Sequence, residues 1–173
     1  MRPLIALVLL LMLLGEGAQA AFPNEPEGFG PLRFGASTAA LEKAFPKAKR
    51  RGQEEFLTIY DLEGQSVLGL KPCTVELRFV DDKFYQVLFS CEPKDKVARA
   101  LEKRFGPAVQ HKPDETVWLS ETHWVSFSPQ AKSFSYTDRS LGSLAQKKLL
   151  GYVLRQRAQA QATAAVPTPG PTP

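Results

Sequence analysis

The chain has 173 residues, 43% of them hydrophobic, and a net charge of +4. That is enough chain for one domain with one core. The charges are interspersed, and the single dense basic run, Lys47 to Arg51, is too short for the broad stripe that nucleic-acid binding needs.

Met1-Arg2, the apolar run from Leu4 to Leu14 and the small-residue site Ala18-Gln19-Ala20 have the layout of a signal peptide, expected over 1–20. The alternative reading of the same run is an uncleaved N-terminal anchor. The run is short of the roughly 20 residues that span a bilayer, so no transmembrane segment is expected in the mature chain. No cysteine follows it to take a bacterial lipid anchor. At the other end, residues 156–173 are dominated by Ala, Gln, Thr and Pro and are expected to stay disordered. A single domain is expected over 21–155.

Residues 22–36, rich in Gly and Pro, read as an extended segment. Ser37 is a suitable N-cap for a helix over 38–45, whose apolar face is Ala40, Leu41, Ala44 and Phe45 and which Pro46 stops. The basic run at 47–51 reads as a solvated loop. Residues 55–62 alternate as a strand, 63–66 read as a turn, and strands follow over 73–80 and 84–91. A second helix is expected after Pro93, with Val97, Ala98, Leu101 and Phe105 as its stripe and Gly106-Pro107 ending it. Three short strands then come within 116–120, 122–128 and 132–137, and a last helix over 139–155. Gly142 and Gly151 weaken that helix. The expected fold is α+β, an antiparallel sheet with helices on one face, in the order αβββαβββα.

The odd positions Cys73, Val75, Leu77 and Phe79 form one apolar strand face, and Tyr85, Val87, Phe89 and Cys91 form another. Facing residues of an antiparallel pair lie on the same side of the sheet. Odd must therefore pair with odd. The simplest such register sets Phe79 opposite Tyr85, leaves Asp81-Asp82-Lys83 as a three-residue loop, and puts Cys73 opposite Cys91. A two-residue loop would throw the apolar sets onto opposite faces. The two cysteines, in an exported chain, are expected to form a structural disulfide. The rarer alternative is a redox-active pair, though such pairs usually sit close in sequence at a helix start.

Neither His111 nor His123 has a second His or Cys at metal-ligand spacing. There is no G-x-S-x-G elbow, P-loop or G-x-G-x-x-G. No cofactor and no enzymatic activity are expected. In the later strands, Phe127 can pair with Phe134 and Val125 with Tyr136, which leaves Trp124, Ser126, Ser128, Ser133, Ser135 and Thr137 on the other face. Arg78, Phe84, Gln86, Leu88 and Ser90 extend that face. If the helices cover one side only, this second face is a hydroxyl-rich surface with large anchors of the hot-spot type. The expected partner-binding residues are Trp124, Arg78, Phe84, Gln86, Leu88 and Ser126. The competing reading is an ordinary wet sheet face, with Trp124 covered by a helix or the tail.

Three stretches carry a resemblance: "GFGPLRFGASTAALEKAFP" at 28–46, "LRFVDDKFYQVLFS" followed by "ALEKRFGPAV", and "VWLSETHWVSFS" with "FSYTD". They resemble the strand, turn and helix punctuation of small bacterial envelope domains, such as the outer-membrane assembly lipoprotein BamE and the β-lactamase inhibitor protein. The resemblance implies helices on an antiparallel sheet and action by protein binding. The absent lipobox cysteine departs from BamE, and Asp82 stands where the hairpin turn usually has glycine. The expected function is an exported, non-enzymatic interaction domain of the bacterial envelope, periplasmic or secreted, with an envelope or secreted protein as partner. The alternative is a binder of small ligands or envelope polymers through the same face. A third reading is a hydrolase working through His123 or His111.

Overall fold

The structure, a computed structural model, describes residues 22–91 and 94–164. The expected signal peptide at 1–20 and the last nine residues of the expected tail, 165–173, lie outside them. The protein is α+β. A small hairpin, β1 (Gly28–Phe29) and β2 (Leu32–Arg33), stands where an extended segment was expected. A Cβ at Gly28 would lie 2.0 Å from the Leu32 carbonyl oxygen, so only glycine lets the hairpin close. The first helix, α1, is Thr38–Ala44, and the Ser37 hydroxyl accepts from the Ala40 amide at 3.3 Å as its N-cap.

An antiparallel sheet of eight strands follows: β3 (Lys49–Gln53), β4 (Leu57–Val67), β5 (Leu70–Val80), β6 (Lys83–Cys91), β7 (Gln110–Lys112), β8 (Glu115–Leu119), β9 (His123–Ser128) and β10 (Ser133–Asp138). Their order across the sheet is β3-β4-β5-β6-β10-β9-β8-β7. Helix α2 (Lys94–Phe105) follows β6, and α3 (Arg139–Ala164) follows β10.

Several local expectations give way. The basic run is no loop but the edge strand β3, paired on one side to β4 and bulged between Arg50 and Gly52. Lysine, arginine and a bulge are what an open sheet edge tolerates. The turn falls at Leu68-Gly69, both at positive φ, rather than at 63–66. Strand β4 runs through 63–66 by a register shift between Leu62 and Gln65, with Gly64 at φ 69°. The short strand β7 was not foreseen. Helix α3 continues to Ala164, past the expected boundary at 155, because residues 158–164 are mostly Ala and Gln, both good helix formers, and the first proline comes only at Pro167.

The central hairpin departs most instructively. Cys73 pairs with Cys91, Val75 with Phe89 and Leu77 with Val87, as expected. The cysteines form a disulfide with Cα atoms 4.6 Å apart, the spacing of a directly opposed, non-hydrogen-bonded pair. Near the turn, however, Phe79 pairs with Phe84 and Val80 with Lys83. The loop is two residues, Asp81-Asp82, at φ 47° and 60°. Such a left-handed pair matches the twist of the strands. Tyr85 is the extra residue of a bulge, and the bulge restores the odd-to-odd phase beyond it.

Two apolar clusters result. The larger holds the odd face of β5, Phe84, Val87 and Phe89, covered by Leu41 of α1 and by Val97, Leu101 and Phe105 of α2. The smaller holds Phe56, Val80 and Tyr85 with Ala145, Leu141, Leu144 and Tyr152 of α3. Adjacent strand residues point to opposite faces, so Phe84 and Tyr85 separate the clusters across the sheet. The helices therefore do not share one face: α1 and α2 cover the inner face, and α3 covers one end of the outer.

Candidate functional site

The outer face begins beneath α3. Gly142 brings the helix so close to β10 that a Cβ there would meet Thr137 Cγ2 at 2.9 Å and Trp124 Cη2 at 3.7 Å. The glycine that weakens the helix thus sets its contact with the sheet. Trp124 is half-buried against this contact, not a free anchor. It lines a cleft of about 290 Å³ together with Phe56, Leu57, Tyr85, Gln86 and Leu149. Burial pushes the Tyr85 phenol above its ordinary value, and the nearby Arg78 guanidinium offsets this only in part.

Beyond the helix the face is polar and connected. Arg78 donates to Glu76 and, at 3.1 Å, to Gln86 Oε1. Gln86 Nε2 donates to Thr137 Oγ1 at 3.0 Å. Glu76 also accepts from Arg51, which lies 3.6 Å from Asp61. That bond raises the Arg51 guanidinium above its ordinary value, against a smaller opposing effect of burial. Leu88 is half-buried between Glu76 on one neighbouring strand and Ser135 on the other. The Ser126 and Ser135 hydroxyls lie 3.0 Å apart.

Four of the six expected binding residues, Arg78, Gln86, Leu88 and Ser126, thus share one accessible face. Trp124 shares it from under α3. Phe84 does not: it is 0% exposed in the inner core, stacked on Phe34 at 5.1 Å and packed on Phe79 at 5.5 Å. The Tyr85 bulge moved it there. Arg51, Asp61, Glu76 and Tyr85 were missed. The tyrosine was recoverable from the two consecutive aspartates, which tolerate left-handed backbone and so admit the shorter turn.

A second polar cluster ties the N-terminal segment to β9. Glu25 Oε1 accepts from Ser120 Oγ and, at 2.8 Å, from Thr122 Oγ1, and it lies 2.8 Å from His123 Nδ1. The imidazole stacks on Phe34, with centroids 5.2 Å apart, and its Nε2 lies 4.0 Å from Asp138. Burial would raise the Glu25 carboxyl, but the hydrogen bonds from Ser120, Thr122 and His123 outweigh it and hold the group below the usual range. Ser120 and the ring share one acceptor, so hydroxyl and imidazole are not arranged as nucleophile and base. Glu25 and His123 lie 98 positions apart, and no spacing signal links them. His111 lies exposed on β7.

Among the described residues, no group of three or more His, Cys, Asp or Glu could hold a metal ion, and no helix is long and apolar enough to cross a membrane. No family model matches the chain, and no curated protein does. Among solved structures, a cysteine-rich secretory protein from Staphylococcus aureus subsp. aureus Mu50 is similar over 70% of this chain, with 13% identity and a TM-score of 0.40. The chain spans 50% of that protein's length.

Proposed function

We propose that this chain is an exported, non-enzymatic protein-binding domain of the bacterial envelope, acting in the periplasm or outside the cell. The observation that carries the reading is the outer face. Among the described residues, the eight-stranded sheet and the helices on it leave Arg78, Leu88 and Ser126 together and half-exposed beyond α3, with Gln86 at the edge of the cleft beside the helix. An apolar residue ringed by hydrogen-bonded polar groups suits a protein partner. The disulfide supports an oxidising compartment. The resemblance to BamE-like and inhibitor-like modules supports the same reading, since those domains work by binding.

The test is a crosslinked pull-down of the mature protein from the bacterial envelope, read by mass spectrometry. A stoichiometric protein partner is expected, lost with Leu88→Arg and retained with an exposed control such as Glu121→Ala. Equal recovery with Leu88→Arg refutes the site. The cleft beside Trp124 favours one alternative, a small apolar ligand. That reading requires a rise in melting temperature with ligand, abolished by Trp124→Ala.

A further inference from the structure

Helix α3 carries a surface that neither the core nor the outer-face site uses. Leu150 and Leu154 are 61% and 56% exposed. Four residues apart, they lie on the same side of the helix. That side is turned away from Leu141, Leu144, Ala145 and Tyr152, which pack on the sheet. Lys147 precedes Leu150 by three positions, and Arg157 follows Leu154 by three. The helix contains Arg139, Lys147, Lys148, Arg155 and Arg157 and no acidic residue. Lys148 and Arg155 are turned back to the body, paired with Asp81 at 2.6 Å and Glu55 at 3.2 Å. Lys147 and Arg157, the two that flank the leucines, have no ion pair among the described residues.

Three occupants could cover this ridge, and the sequence separates them. A second copy would set cationic helix against cationic helix. A groove in a partner protein grips anchors repeated over two turns or more, but the next positions along the ridge are Arg157, Ala158 and Gln161. A lipid surface needs no matching groove. It takes a short apolar ridge with cations at its flanks, whose stems reach outward to anionic headgroups. We propose that the Lys147–Leu150–Leu154–Arg157 face of α3 docks on an anionic lipid surface, independently of protein binding at the outer face. With two leucines, binding is weak and reversible, no tighter than the association constant of about 10⁴ M⁻¹ of a single acyl chain. Salt weakens it.

The test is vesicle flotation of the disulfide-bonded chain from Ala21 to Pro173. This form keeps both apolar clusters and removes the apolar run at 4–14 as a competing membrane binder. Vesicles of phosphatidylglycerol and phosphatidylcholine in equal parts should carry the protein at about 5 mM lipid. Pure phosphatidylcholine should not, and about 0.5 M salt should release it. Leu150→Ser with Leu154→Ser, and separately Lys147→Glu with Arg157→Glu, should each cut the partition at least tenfold. All four sites are exposed, so the melting temperature should hold. No flotation with anionic vesicles, equal flotation with neutral ones, or unchanged flotation of both variants overturns the proposal.

Discussion

Replacing Phe84 by alanine tests the central hairpin directly. The side chain would be a half-exposed surface anchor if Tyr85 faced Phe79, and surface truncations of that kind change stability by within about 0.5 kcal/mol. With the bulge at Tyr85, Phe84 is instead fully buried between Phe34 and Phe79. Phenylalanine-to-alanine changes in cores cost about 3–5 kcal/mol. The upper part of that range applies here, because the lining rings are rigid and two aromatic contacts are lost as well. A loss of about 4 kcal/mol is a large share of the roughly 5–15 kcal/mol that holds a domain together. The assay is urea unfolding of the oxidised protein, followed by circular dichroism, with an unchanged slope required for the comparison. A loss under about 1 kcal/mol would refute the two-residue turn and the bulge together.

Three further outcomes follow from the same geometry. Reducing the Cys73–Cys91 bond, which closes a loop of 18 positions, should lower stability by about 3 kcal/mol on the chain-entropy account, read as a shift in urea midpoint with and without reductant. Asp82→Ala removes a carboxylate that accepts from Thr38 N at 2.9 Å and Thr38 Oγ1 at 2.7 Å and places alanine at φ 60°; the loss should be about 2 kcal/mol, of which about 1 is the lost contact, as for a helix cap, and the rest the left-handed backbone, in the same titration. Glu25→Gln should be most destabilising at neutral pH. Its folded-state carboxyl is held below the ordinary value, so its contribution is present above the unfolded value near about 4.3 and fades as pH falls through the lower folded one. The gap in unfolding free energy between variant and parent should therefore be widest at about pH 7 and narrower at about pH 3; a constant gap would overturn the ionic reading of that cluster.

The parts legible in the sequence were those where a period repeats over several residues. The pairs Phe127–Phe134 and Val125–Tyr136, the stripe of α2 and the opposed cysteines all rest on such repeats, and the structure has each of them. The disagreements sit where one residue changes phase. The Tyr85 bulge turned Phe84 from surface to core, and Leu68-Gly69 took the turn expected four residues earlier. Helix placement was illegible for another reason. The apolar stripe of α3 says that the helix packs, but not on which face of the sheet. That choice depends on Val80, Phe56 and Tyr85, and the tyrosine reaches the outer face only through the bulged register. The Glu25–His123 contact joins segments whose distance in sequence leaves no pattern to read.

Strand order has a consequence for synthesis. Strand β6 lies between β5 and β10, yet β10 starts more than forty positions after β6 ends. A chain emerging from the ribosome can form the β5–β6 hairpin early, but its free side stays open until Ser133–Asp138 arrive. Throughout that interval an edge with Val87 and Phe89 lacks the rings of Phe134 and Tyr136 that cover it in the finished molecule. Unpaired strands of this composition recruit one another. A nascent or clipped chain ending before residue 133 is thus an aggregation hazard rather than a smaller version of the domain. The last quarter of the chain protects the middle.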